Sequence, residues 1–253
     1  MNDVLFAFLL TLLAGLSTGL GGAVALFARR TKPNFLGLCL SFSAGVMLYI
    51  SFVEIFSKAD ESLSELWGED RGFLFGTLAF FAGVGLIALI NRFIPCRAAQ
   101  VENDEKDLNR MGLMSALSIA IHNFPEGLIT FMAALQDPAL GVAMAIAVAI
   151  HNIPEGVAIA APLYYATGSR AKALLFSIAS GLTEPLGAVA AYFLLARVFS
   201  EGMFGLVFAA SGGMMVFIAI QLLPVAEAFG GRRRVIKGVF AGMGVMALSL
   251  ILI

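Results

Sequence analysis

Charge is the first thing this sequence is short of. Only 13% of its 253 residues are charged and 60% are apolar, whereas soluble domains are about one-quarter charged and near-even in apolar share. That balance excludes an ordinary water-soluble globule. A net charge of -1 leaves no basic surface for nucleic acid and no polybasic stretch for a membrane surface. Cysteine is scarce as well: Cys39 and Cys96 fit neither a disulfide framework nor a CxxC pattern and read as packing or loop residues. The start, Met1-Asn2-Asp3, lacks the positive region of a secretory signal, and the apolar run behind it is too long for one, so it is expected to be the first span. The alternation of apolar and polar residues over about ten positions that marks a membrane barrel is missing too.

What is present is a set of apolar runs of about twenty residues, the length that crosses a bilayer as a helix. There are eight, near 4–27, 35–55, 73–90, 111–135, 140–165, 171–196, 204–225 and 235–253. They predict an all-α polytopic membrane protein, a bundle of eight transmembrane helices forming one domain over 1–253. With the first loop cytoplasmic, the inner loops hold thirteen of the sixteen Lys and Arg, leaving Lys58, Arg71 and Arg197 outside. Such asymmetry places both termini on the outer face of the membrane. The stretch Asp60 to Asp70, with Asp60, Glu61, Glu65, Glu69 and Asp70, reads as a solvated acidic outer loop, and Pro95 to Arg110 as a flexible inner connection.

Both histidines of the chain lie mid-span, in two copies of one phrase: His122-Asn123-Phe124-Pro125-Glu126-Gly127 and, 29 residues on, His151-Asn152-Ile153-Pro154-Glu155-Gly156. An ionisable side chain at that depth costs about 2.5 to 3.5 kcal/mol even on the lenient insertion scale. A helix advances about 100° per residue, so the glutamate falls between the histidine and the asparagine and can serve both. One His-Glu pair four apart is often no more than a satisfied helix contact, but two copies at one depth point to a metal site. Imidazole with carboxylate suits zinc and the late divalent metals. Each proline frees a carbonyl one turn back, that of Ile121 or Ile150, beside the candidate ligands.

The sixth span adds Glu184, within Ser180-Gly181-Leu182-Thr183-Glu184-Pro185, and next to the two phrases it reads as a further metal ligand. Glu54 and Glu227 lie close to the interfaces; Glu54 is a candidate for the outer mouth of a pathway. Gly45-Val46-Met47-Leu48 in span two is loosely echoed by Gly213-Met214-Met215-Val216 in span seven. With five spans between, the two run in opposite senses, as in an inverted 3+2+3 repeat, although glycine and methionine are common enough in membrane helices for chance to produce such an echo.

On the phrases HNFPEG and HNIPEG the chain resembles the ZIP family of divalent-metal transporters, and in its short loops the family's bacterial members. The resemblance spans the whole chain, including the TEP segment of span six. It implies a two-metal site at mid-membrane: the histidines and glutamates of spans four and five around one ion, the asparagines and Glu184 around the other, and the glutamates bridging. That carries the metal-ligand role onto His122, Asn123, Glu126, His151, Asn152, Glu155 and Glu184, and makes Met47 a candidate where some members use a span-two methionine, though packing is the stronger reading of any single methionine. Many members have a histidine-rich loop between spans three and four, and Pro95 to Arg110 has no histidine.

The expected function is uptake of zinc, with iron, manganese, cobalt or cadmium as further cargo, into the cytoplasm. No catalytic cofactor is expected; Zn2+ or Fe2+ is substrate, membrane lipid the surroundings, nucleic acid not a partner, and a second copy in a homodimer a candidate partner. A passive cation channel uses the same residues. A di-metal enzyme is the other alternative, but it calls for Glu-x-x-His pairs and a metalloprotease for His-Glu-x-x-His, both absent here.

Overall fold

The computed structural model describes residues 3–26, 33–93, 105–195 and 201–252, and among them every regular element is a helix. Helix α1 (Asp3–Leu26) illustrates how these helices sit in lipid. Its large side chains Leu5, Leu9, Leu13, Leu16, Leu20 and Val24 recur every three or four residues and are all exposed, Leu13 at 64% and Leu20 at 61%. The opposite face buries Ala7, Thr11, Ala14, Gly15, Thr18, Gly22 and Ala25. Large outside and small inside inverts the pattern of a helix in water. It suits lipid, where apolar surface gains nothing by leaving the solvent and helices associate by close backbone approach at small residues.

The other elements are α2 (Pro33–Ile50), which runs through a π-helical turn (Ser51–Ile55) into α3 (Phe56–Trp67), then α4 (Glu69–Phe93), α5 (Glu105–Gln136) and α6 (Pro138–Thr167). They are followed by α7 (Arg170–Gly181), α8 (Thr183–Ala190) with a second π-helical turn (Ala191–Leu195), α9 (Glu201–Gly230) and α10 (Arg232–Leu252). Among the described residues, 7 helices are long and apolar enough to cross a membrane, and the chain is a multi-pass membrane protein. Helix α5 is not among the seven, although it is 32 residues long. His122, Asn123 and Glu126, all buried inside the bundle, dilute its apolarity.

Several expected boundaries are corrected. Asp60 to Asp70 is not a loop: the helix of span two continues to Trp67, with Ala59 and Leu63 buried as its apolar face, and turns at Gly68, whose φ of 85° suits glycine. Its acidic side chains do stay at the surface, Asp60 partly exposed and the other four exposed. Span four begins at Glu105, so the end of the expected inner connection is helical, while residues 94–104 lie outside the described residues. Span six is two helices broken at Leu182, and span seven runs on to Gly230, so Glu227 sits exposed within a helix.

The helices fall into two groups. Helices α1, α5, α6, α7 and α8 pack on one another; α2, α3, α4, α9 and α10 form the second group, and the two meet where α2 touches α6 and α5 touches α9. Pairings in the second group follow an inverted repeat, since α2 packs on α10 as α9 packs on α4. The glycines of the echoed phrase mark it: a Cβ on Gly45 would strike the Val239 carbonyl, and one on Gly213 the Phe80 carbonyl. Helices α4 and α10 are peripheral, with 22% and 17% of their most apolar stretch buried against 61% for the spans of α2 and α9.

Candidate metal centre

Helices α5 and α6 bring the two phrases face to face, and α8 adds Glu184 in its first turn. All seven expected ligands are buried, none more than 4% exposed. His151 Nε2 lies 2.6 Å from Glu126 Oε1, and His122 Nε2 lies 3.7 Å from both Glu126 Oε2 and Glu155 Oε1. Ligand atoms of His122, His151 and Glu155 all fall within 4.8 Å of one another, a spacing one divalent ion can close. On the neighbouring side, Asn152 Nδ2 donates to Glu184 Oε1 at 2.5 Å and to the Ala14 carbonyl at 3.0 Å. Asn123, with its amide turned to satisfy its surroundings, donates to Glu155 Oε2 at 3.1 Å and to Ile119 O at 3.0 Å.

The centre is rich in unused donor atoms. Ten buried side-chain polar atoms meet no hydrogen-bond partner among the described residues, and half of them belong here: His122 Nε2, Glu126 Oε2, Asn152 Oδ1, Glu155 Oε1 and Glu184 Oε2. An unsatisfied buried polar atom costs about 1 to 3 kcal/mol, and packing alone gives no reason to gather five. A cation would satisfy them together. The set comprises two imidazoles, two amides and three carboxylates, a mixed nitrogen and oxygen set that suits zinc and its late-transition neighbours.

Local structure explains how each side chain gets there. The glycine that ends each phrase is the contact point: a Cβ on Gly127 would strike the backbone carbonyl of Glu184, and one on Gly156 that of Thr18. These contacts seat α8 on α5 and α1 on α6. His122 is held from the other helix group, its Nδ1 2.9 Å from Ser211 Oγ on α9. His151 Nδ1 faces the Ala147 carbonyl at 3.0 Å, which orients the ring with Nε2 toward Glu126. Ser211, the Ala14 carbonyl and the glycines were not singled out as site residues from sequence. A backbone carbonyl leaves no trace in sequence, but Ser211 stands two before Gly213 as Ser43 stands two before Gly45, a signal the echoed phrase contained.

Two further candidates part company. Met47 is fully buried in the core, its carbonyl accepting from Ser51 Oγ at 2.6 Å. Glu54 lines a cavity of about 300 Å³ whose other polar walls are Glu126, His151 and Lys58 and whose remaining lining is apolar. Glu126 and His151 lie at its floor; Glu54, ion-paired with Lys58, lies toward the face carrying both described chain ends, where Leu140 and Leu250 also line it.

Comparison with known proteins agrees with this geometry. Residues 96–250 match the family described as ZIP Zinc transporter. The chain is 52% identical to the zinc transporter ZupT of Chlorobium chlorochromatii over 264 residues, covering 99% of this chain and 98% of that protein. It is also 52% identical to that of Nitratidesulfovibrio vulgaris, covering 99% and 98%, and 46% identical to that of Clostridium perfringens, covering 100% and 97%. With the paired phrases converging on one buried centre, and with likeness along its full length, the chain belongs to the ZIP zinc transporter family.

Proposed function

We propose that this protein carries zinc, and with it iron, manganese, cobalt or cadmium, across the inner membrane into the cytoplasm through a two-ion site at mid-membrane. The single observation that carries this reading is the convergence of seven expected ligands, five of whose polar atoms are buried without partners. His122, His151, Glu126 and Glu155 hold one ion; Asn123, Asn152 and Glu184 hold the second, with the two glutamates bridging. Three carboxylates against two dications leave a small positive excess when both positions are filled, and a site that needs protons when empty. The cavity from Glu54 to Glu126 and His151 supports arrival from the face that charge asymmetry assigns to the outside. Delivery to the other side requires the site to be exposed alternately, as in transporters built from inverted repeats. Assembly as a homodimer is part of the same reading, tested by crosslinking in the membrane.

Radiolabelled zinc uptake into metal-starved cells tests the site, comparing wild type with Glu126→Ala and His151→Ala at matched membrane levels. Both variants are expected to lose uptake, and excess iron to blunt it in the wild type. Saturation of the flux with zinc separates a carrier from a channel. Unchanged uptake in both variants overturns the assignment.

A further inference from the structure

Helix α1 carries a counterpart of the Glu184 segment. Gly15-Leu16-Ser17-Thr18-Gly19-Leu20-Gly21 reads beside Gly181-Leu182-Thr183-Glu184-Pro185-Leu186-Gly187, with Thr18 in the place of Glu184. The structure repeats the correspondence contact by contact. Ser17 Oγ donates to the Ala14 carbonyl at 2.6 Å and Thr183 Oγ1 to the Ser180 carbonyl at 2.6 Å. A Cβ on Gly21 would strike the Ile153 carbonyl as one on Gly187 would strike that of Phe124. The Thr18 carbonyl meets Gly156 as the Glu184 carbonyl meets Gly127, and a Cβ on Gly15 or on Gly181 would strike the other's carbonyl. Reciprocal contact between equivalent residues places a pseudo-twofold axis between α1 and the α7–α8 junction, and the axis exchanges the two histidine phrases.

The halves differ at one side chain. Glu184 reaches Asn152; for its counterpart Thr18, two heavy atoms shorter, the same symmetry makes Asn123 the corresponding partner. Thr18 is fully buried, and its Oγ1 meets no hydrogen-bond partner among the described residues. A threonine inside a helix ordinarily returns its hydroxyl to the carbonyl one turn back, but here that carbonyl, of Ala14, is taken by Ser17 and Asn152. No hydrogen bond among the described residues uses this hydroxyl, and the pseudo-twofold pairs its residue with Glu184 of the centre.

We propose that Thr18 Oγ1 is a sixth oxygen donor, direct or through one water, to the ion held by Asn123, Asn152, Glu184 and the bridging Glu126 and Glu155. The inference rests on the metal-transport reading above. It makes the asparagine position an all-oxygen, six-donor site, the set that harder ions such as Mn2+ prefer, while the histidine position remains the one for zinc. Thr18 thus tunes which metals are carried.

The test uses the full-length protein with Thr18→Val, Thr18→Ala, Thr18→Ser and, as control, His151→Ala, read by Mn2+ and Zn2+ uptake and by the rise in Tm that Mn2+ gives the purified protein. Both hydroxyl deletions are expected to raise the half-saturating Mn2+ concentration about tenfold, zinc much less, and to lose the Mn2+-induced rise in Tm. Thr18→Ser is expected to behave as wild type. Thr18→Val, isosteric and free of an unused hydroxyl, should melt no lower than wild type without metal. Wild-type Mn2+ uptake and Mn2+ protection in both deletions would overturn the proposal, as would a wild type indifferent to Mn2+. A His151→Ala variant that still carries zinc would instead remove the reading beneath it.

Discussion

Consider the proton shared between His151 and Glu126. The Ala147 carbonyl can only accept, so His151 Nδ1 carries a proton toward it. At 2.6 Å, His151 Nε2 and Glu126 Oε1 then need a second proton between them, because two lone pairs at that distance repel. An arriving ion must expel that proton before it can bind both groups. The half-saturating zinc concentration is therefore expected to rise as external pH falls from neutral, since protons occupy the place the ion needs. Uptake kinetics across pH at fixed membrane potential check this, and a flat profile would count against it. All seven candidate ligands, which the structure gathers at one buried centre, were legible in the sequence because His, Asn and Glu are conspicuous in apolar runs. Ser211 and Thr18 were not, because small hydroxyl residues are ordinary in membrane helices and acquire meaning only from what they face.

Helices were legible by apolar length, but their ends and breaks were not. Helix α3 continues span two beyond the apolar run on the strength of Ala59 and Leu63, too few residues to register as a run. The π-helical turn Ser51–Ile55, which holds Glu54, has no compositional mark; such turns gather at functional sites, and this one ends beside the cavity. Glycine in the repeated phrase lets α6 lie on α1. Gly156→Val forces side-chain atoms against the Thr18 carbonyl and is expected to cost about 1 to 3 kcal/mol, as overpacking does, lowering Tm in detergent and displacing Asn152 from Ala14. A melt indistinguishable from wild type would mean that the contact is looser than its geometry.

At the scale of the whole molecule, the seven expected ligands of the two phrases and Glu184 lie in the group of α1, α5, α6, α7 and α8, while Glu54 and Lys58 belong to the other group and overlook the cavity from its rim. Orientation can be read at that rim. In a cysteine-free background, Lys58→Cys is expected to react with a membrane-impermeant maleimide added to intact cells, because charge asymmetry puts this face outside. Reaction only after permeabilisation would reverse the topology. The pairing of helices has a further consequence, for how the chain is made. Helix α1 finds its main neighbour in α6, and α2 its neighbours in α9 and α10, so neither packs until much later parts of the chain have been synthesised. A nascent chain halted after α5 already holds His122, Asn123 and Glu126 but neither α6 nor α8 to cover them. During biogenesis those polar groups must wait in the bilayer, or beside an insertion factor, until the second half of the protein arrives.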